Sequence, residues 1–294
     1  MKNLTLTFLA IFVALFSSAQ KAKVYSSLEE ALQNPSEVFI LSLNNKKLTE
    51  VPESITKFTN LTTLDLAGNR LTSIPETLLQ LKNLTELNLS DNRFNTIPEV
   101  ATRITGLTSL DLSSNNLSHL PESITKLVNL KLLYLNNNKL SSLPPYLSQL
   151  GNLSELYLYG NLLTGLPENI SKLTNLVEIG LGGNLLTFLP ESVGSLTHLR
   201  YLALSYNRFT TFPTCITRLN KLIVLDFNEN KLSSLPENIG TLTQLEELYL
   251  ESNKLTSLPE SITKLTKLIR ININKNSSLK LSPTIKNFIA DKKM

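Results

Sequence analysis

Apolar residues fall at fixed intervals along most of this chain. Between Leu61 and Asn83 they are Leu61, Leu64, Leu66, Leu71, Ile74, Leu78 and Leu81, with Asn69 and Pro75 between them. The same types return every 23 residues, without insertion or deletion, from Val38 to Ala290. Taking Val38 as position 1 of unit 1 gives eleven units, so Leu61 opens unit 2. Positions 1, 4, 6, 11, 14, 18 and 21 are apolar throughout, Ser278 being the one exception. Positions 4 and 6 have strand spacing, with both side chains on one face. Positions 14, 18 and 21 have helical spacing on one face. Each unit therefore predicts a short strand, a turn, and a short helical or 3₁₀ return. A unit this small cannot bury its apolar edge alone, so neighbours must stack, each buried Leu contributing roughly 1.5–3 kcal/mol.

Position 9 carries Asn69, Asn92, Asn115, Asn138, Asn161, Asn184, Asn207, Asn230, Asn253 and Asn276, with Lys46 in the first unit. Strand end and turn leave inward-facing backbone groups that are costly if unpaired. An amide has both donors and acceptors for them. The column predicts a buried ladder, each Asn serving the turns of its own and the next unit, and Lys46 marks an end open to solvent.

The pattern LxxLxLxxNxL followed by an LPE-type return resembles the leucine-rich repeat family. The 23-residue length and the Pro at position 15 are similar to its Ras-group and bacterial LPxxI repeats. The resemblance implies an α/β solenoid of horseshoe shape, with a parallel β-sheet on the concave face and short helical or 3₁₀ returns on the convex face. It is almost silent on ligand, because one fold serves many partners.

The ends depart from the repeat. Residues 1–19 read as an export signal: Lys2, the apolar run Leu4 to Phe16, then Ser17-Ser18-Ala19 as a cleavage site. Thirteen residues, Thr5 and Thr7 among them, are too few to span a bilayer. The other reading of this stretch is a buried first helix. Residues 20–37 read as an N-terminal cap, with Ser27 and Glu30 as a capping box, Leu28, Ala31 and Leu32 on one apolar side, and Pro35 as a stop. The run from Glu30 to Pro35 resembles the start of exported bacterial leucine-rich repeat proteins. Residues 38–290 are the eleven repeats. The last is degenerate and leads into a capping helix at about 283–292.

Composition narrows the function. The net charge of +4 is mild and partly terminal, in Lys280, Lys286, Lys292 and Lys293. No basic stripe with interleaved aromatics is present, which argues against nucleic acid. Cys215 is the lone cysteine and reads as a small convex-side filler. His119 and His198 occupy unlike repeat positions, and no metalloprotease, phosphate-loop or nucleophile-elbow motif occurs. The expectation is a non-enzymatic protein with no cofactor, no metal site and no membrane span in the mature chain. On the returns, Glu122 and Lys126, Glu168 and Lys172, and Glu260 and Lys264 have i, i+4 spacing and predict intra-helix pairs.

With positions 4 and 6 inward, positions 3, 5 and 7 face the concave side, and 8 and 10 rim the strand end. Units 2 to 4 show small and acidic residues there; from unit 5 tyrosines begin. Leu132, Tyr134, Glu155, Tyr157, Tyr159, Glu178, Tyr201, Tyr206, Asp226 and Tyr249 form the candidate partner-binding set. Gly180, Gly182 and Gly183 read as a bare floor between aromatic walls. Tyrosines beside carboxylates on a rigid sheet are typical of protein hot spots. The expected function is an exported protein that recognises a protein partner on its concave face. The alternatives are a glycan or cell-envelope binder, or an intracellular scaffold like the Ras-group repeats if residues 1–19 stay in place.

Overall fold

The computed structural model describes residues 23–293. The signal-like stretch lies outside them. Twelve parallel strands form one sheet in strict chain order. They are β1 (Val24–Tyr25), β2 (Ile40–Ser42), β3 (Thr63–Asp65), β4 (Glu86–Asn88), β5 (Ser109–Asp111) and β6 (Leu132–Tyr134), then β7 (Glu155–Tyr157), β8 (Glu178–Gly180), β9 (Tyr201–Ala203), β10 (Val224–Asp226), β11 (Glu247–Tyr249) and β12 (Arg270–Asn272). Strands β2 to β12 are positions 3 to 5 of the eleven units, and each residue pairs with its equivalent in the next unit, as in Leu133↔Leu156↔Ile179. This is an open leucine-rich solenoid, with strands on one side and returns on the other.

The returns are almost all five-residue 3₁₀ helices, such as Glu53–Lys57 and Glu237–Thr241, each preceded by the Pro of position 15. The backbone closes in three-residue steps: Ile55 N–H donates to Pro52 O at 3.1 Å, Phe58 to Ile55 at 3.1 Å, and Leu61 to Phe58 at 3.0 Å. Side chains three apart eclipse in a 3₁₀ helix, so positions 18, 21 and 1 all enter the core. Unit 3 differs: with the small Ala101 at position 18, its return is the α-helix Glu99–Arg103.

The i, i+4 pairs read from the sequence do not form, for the same reason. At three residues per turn, the fourth residue on lies off the face of the first. Of the three lysines, Lys126 reaches instead to the preceding coil, pairing with Glu99 at 2.9 Å, as Arg103 does with Glu76 at 2.7 Å and Arg218 with Glu191 at 2.9 Å. Among the described residues Lys172 and Lys264 form no ion pair.

Both ends of the stack are covered. The N-terminal cap contributes strand β1, which the sequence reading missed, and the helix α1 (Leu28–Ala31), whose Ser27 hydroxyl accepts from Glu30 N–H at 3.4 Å. At the other end the helix α3 (Pro283–Ile289; α2 is the return Glu99–Arg103) packs Ile285 and Ile289 inward. It is three residues shorter than the expected 283–292. Beyond it the chain doubles back, and Lys293 pairs its backbone with β12, accepting from Ile271 N–H at 3.0 Å.

The Asn ladder is present in full. Each position-9 Asn from Asn69 to Asn276 is 4–8% exposed. Asn161 shows the arrangement: its Oδ1 accepts from Leu140 N–H at 3.0 Å, and its Nδ2 donates to Leu135 O at 2.9 Å and Leu158 O at 3.1 Å. The neighbour served is thus the preceding unit, not the next. Lys46, with no repeat before it, is exposed, and its own N–H donates to Asn69 Oδ1 at 3.1 Å.

Candidate functional site: the concave sheet

Position 8 follows the strand in every unit, and its backbone is left-handed in all eleven, from Asn45 (φ 56°) to Lys275 (φ 55°). This turn reverses the chain at the strand end and sets the rim of the sheet. Glycine and Asn are at ease there. Tyr206 (φ 54°) and Glu229 (φ 54°) are held against their backbone preference. Tyr206 therefore projects from the rim, 53% exposed, rather than from the sheet floor.

Position 5 closes the strand end. Where it is acidic, the carboxylate accepts from the N–H two residues on: Asp65 from Ala67 at 3.0 Å, Asp111 from Ser113 at 2.8 Å, and Asp226 from Asn228 at 2.9 Å. These acids hold the turn. In units 6 and 10, where Tyr157 and Tyr249 take the position, the same N–H finds another acceptor. Tyr159 N–H donates to Asn136 Oδ1 at 2.9 Å, and Glu251 N–H to Asn228 Oδ1 at 2.7 Å. An Asn at position 7 of one unit thus supports a Tyr at position 5 of the next. The pairing is visible in the sequence as Asn136 before Tyr157 and Asn228 before Tyr249, though the column reading passed over it.

The aromatic residues of units 5 and 6 form a stack. Tyr134 and Tyr157 lie face to face, centroids 4.9 Å apart and 4° from parallel, and Tyr159 follows at 6.5 Å from Tyr157. The Tyr159 ring lies across unit 7: a Cβ on Gly180 would come within 2.0 Å of its Cε2, and one on Gly182 within 2.8 Å of its Cδ1. The glycines are therefore not a bare floor. They are the space that lets the ring lie flat, and Gly180 and Gly182 are buried under it.

Two members of the candidate set offer almost no surface to a partner. Tyr157 and Asp226 are each 4% exposed, Tyr157 because it is sandwiched within the stack and Asp226 because it holds the turn. The others remain reachable: Leu132, Tyr134, Glu155, Tyr159, Glu178 and Tyr249 are half-buried, while Tyr201 on β9 is 38% exposed. Tyr249 is tied to its surroundings, donating to Glu247 and accepting from Arg270 Nη1 at 3.0 Å.

Glu155 and Glu178 are register neighbours on β7 and β8. The Tyr157 hydroxyl donates to Glu155 Oε2 at 2.9 Å. Burial, with the charge of Glu155 beside it, pushes the Glu178 carboxyl up to about 7. Burial likewise raises Asp111 and Asp226, and it raises the phenols of Tyr134, Tyr157 and Tyr159, all of which face these acids. The middle of the sheet is a desolvated acidic surface floored by aromatic rings. Among the described residues no cluster of three or more His, Cys, Asp or Glu converges in a metal-binding arrangement, and no helix is long and apolar enough to cross a membrane. Cys215 is fully buried on the convex side, its thiol pushed up to about 11, chiefly by burial.

Three family models match. A leucine-rich repeat region covers residues 187–289, a two-copy leucine-rich repeat covers 59–102, and a third leucine-rich repeat covers 105–163 and 151–209. The chain is a leucine-rich repeat protein. A search of curated proteins found no match. Among solved structures, this leucine-rich repeat protein is similar to one from Leptospira interrogans, at 27% identity and a TM-score of 0.54, over 92% of this chain and 99% of that one. It is similar to a TDR receptor at 29% identity and a TM-score of 0.66, spanning 87% of this chain and about half (51%) of the receptor. An internalin of Listeria monocytogenes shares the fold at 20% identity and a TM-score of 0.54, over 85% of this chain and 88% of that one. Repeats of this family are typically protein-interaction modules, and the fold is generally a non-enzymatic scaffold.

Proposed function

We propose that this leucine-rich repeat protein is exported and binds a protein partner on the concave face of units 5 to 9. The observation that carries the reading is the exposed Tyr201 ring on β9. The Tyr134–Tyr157–Tyr159 stack lies on the same sheet, rooted on β6 and β7, and Tyr206 projects from the rim of the same unit as Tyr201. Around these rings Glu155, Glu178 and Glu229 form no ion pair with a described Lys or Arg, so the surface suits a partner with basic and aromatic groups. Large rigid rings contribute contact area at small entropic cost. Tyr134 and Tyr157 spend a ring face on each other, which favours protein over sugar stacking. The signal-like residues 1–19 support export.

The test has two arms. N-terminal sequencing of the mature protein should begin at Gln20; a retained Met1 rejects export. Cross-linking to the intact mature chain in its native envelope and medium fractions, followed by mass spectrometry, names the partner. Tyr134→Ala/Tyr201→Ala should weaken its affinity more than tenfold, and unchanged affinity rejects this placement.

A further inference from the structure

The edge of the solenoid that carries the N-terminal ends of the strands changes character halfway along. Over units 1 to 6, position 23 is Asn in every unit but one. The amides of Asn60, Asn83, Asn129, Asn152 and Asn175 each donate to the carbonyl 24 residues back, at 2.7–3.0 Å. Position 2 runs beside them as a hydroxyl ladder, Thr62, Thr85, Thr108 and Ser154 donating to the preceding coil. Such an edge uses its own polar groups. His198, with Nδ1 3.0 Å from Thr174 O, is the last rung. Beyond it position 23 becomes Lys221, Gln244 and Lys267, and position 2 reads Val177, Arg200, Ile223, Glu246, Ile269.

The long side chains leave an open trough of about 600 Å³ between them, lined by Val177 and Ile223 as well as the cations. Ile269 continues the apolar row and is 53% exposed. Arg200, Lys221 and Lys267 are exposed, and none forms an ion pair with a described carboxylate; Lys267 Nζ donates to the neutral Gln244 Oε1 at 2.6 Å.

We propose that this edge is a second docking surface, separate from the concave face, for an extended acidic segment of a partner protein. Carboxylates of the segment meet Arg200, Lys221 and Lys267, and its aliphatic side chains lie on Val177, Ile223 and Ile269. Charge complementarity selects an anionic occupant. The alternation of apolar and charged residues at position 2 selects a polypeptide, because a uniform polyanion gains nothing from three β-branched side chains and is repelled by Glu246.

The probe is a fluorescein-labelled twelve-residue peptide of alternating Glu and Val, read by anisotropy with the intact chain. Arg200→Glu/Lys221→Glu should weaken binding at least tenfold and bind the matching Lys–Val peptide instead, a gain that also shows the variant is folded. Ile223→Asn should remove the binding that survives at high salt, where the ionic part is screened. Tyr201→Ala, on the concave face, should leave the affinity unchanged. Absence of saturable binding overturns the proposal, as does equal loss from reversing the convex pair Lys57 and Lys172, or tighter binding of sulfated dextran than of the peptide.

Discussion

Single residues in this solenoid differ in worth according to the column they occupy. Asn161 and Asn175 are the same residue type fourteen positions apart, yet one is buried in the ladder and the other is exposed on the edge. Asn161→Ala strands the Leu140 N–H away from water, while Leu135 O and Leu158 O keep the amides of Asn138 and Asn184, so urea unfolding should show a loss of about 1–3 kcal/mol. Asn175→Ala forfeits one exposed bond to Gly151 O and should cost under about 1 kcal/mol. Glu178 is the residue whose environment opposes its charge. Folded Glu178 holds its proton up to about pH 7, against 4.5 ordinarily, so folding takes up protons between those values and stability falls as pH rises through them. Glu178→Gln should remove that fall. The variant should be more stable than the parent at pH 8, by of order 1–2 kcal/mol after allowing for partial solvent access, and equal to it near pH 4. Thermal melts across pH check the sign, and a parent with no excess slope contradicts it.

At the scale of the element, the 3₁₀ return explains both what the pattern predicted and where it misled. Apolar spacing of four and three suits an α-helix or a 3₁₀ turn, and side-chain periodicity alone does not separate them over five residues. The difference decides the charge partners. A double-mutant cycle on Glu99 and Lys126, 27 residues apart, should give a coupling of about 0.2–1 kcal/mol, the range for an exposed pair. The same cycle on Glu122 and Lys126, four apart, should give none. The reverse result would mean that the return is α-helical in solution.

For the whole molecule, the open sheet has two edges and the stack has two leucine-lined ends, and the terminal segments cover both. Strand β1 covers one edge, while Lys293 and α3 cover the other. An exposed parallel edge over a leucine-lined end invites association with another copy. Removing residues 282–294 uncovers Ile285 and Ile289 contacts worth about 3 kcal/mol or more. It also strips the Ile271 amide of its acceptor. Hydrogen exchange should show units 10 and 11 losing protection first while units 4 to 6 keep theirs, with concentration-dependent association by light scattering. Uniform loss of protection would mean that the stack opens as one body instead of repeat by repeat.

Repeat length, strand placement, the inward leucines and the Asn ladder were legible in the sequence because each is dictated within one coil or between adjacent coils, and 23-residue periodicity copies those local relations along the chain. The candidate face was legible as a set of columns, since strand alternation alone says which positions leave the core. What the columns could not show was how long side chains lie across neighbouring coils. Tyr159 covers Gly180 and Gly182, Tyr157 is sealed in a stack, and Lys126 chooses Glu99 over Glu122. Each depends on distances between units and on the room a neighbour leaves, which only the stacked coils define. The same holds for the basic edge. Its residues are plain in the sequence, but the trough between them exists only once the coils lie side by side, about 4.8 Å apart.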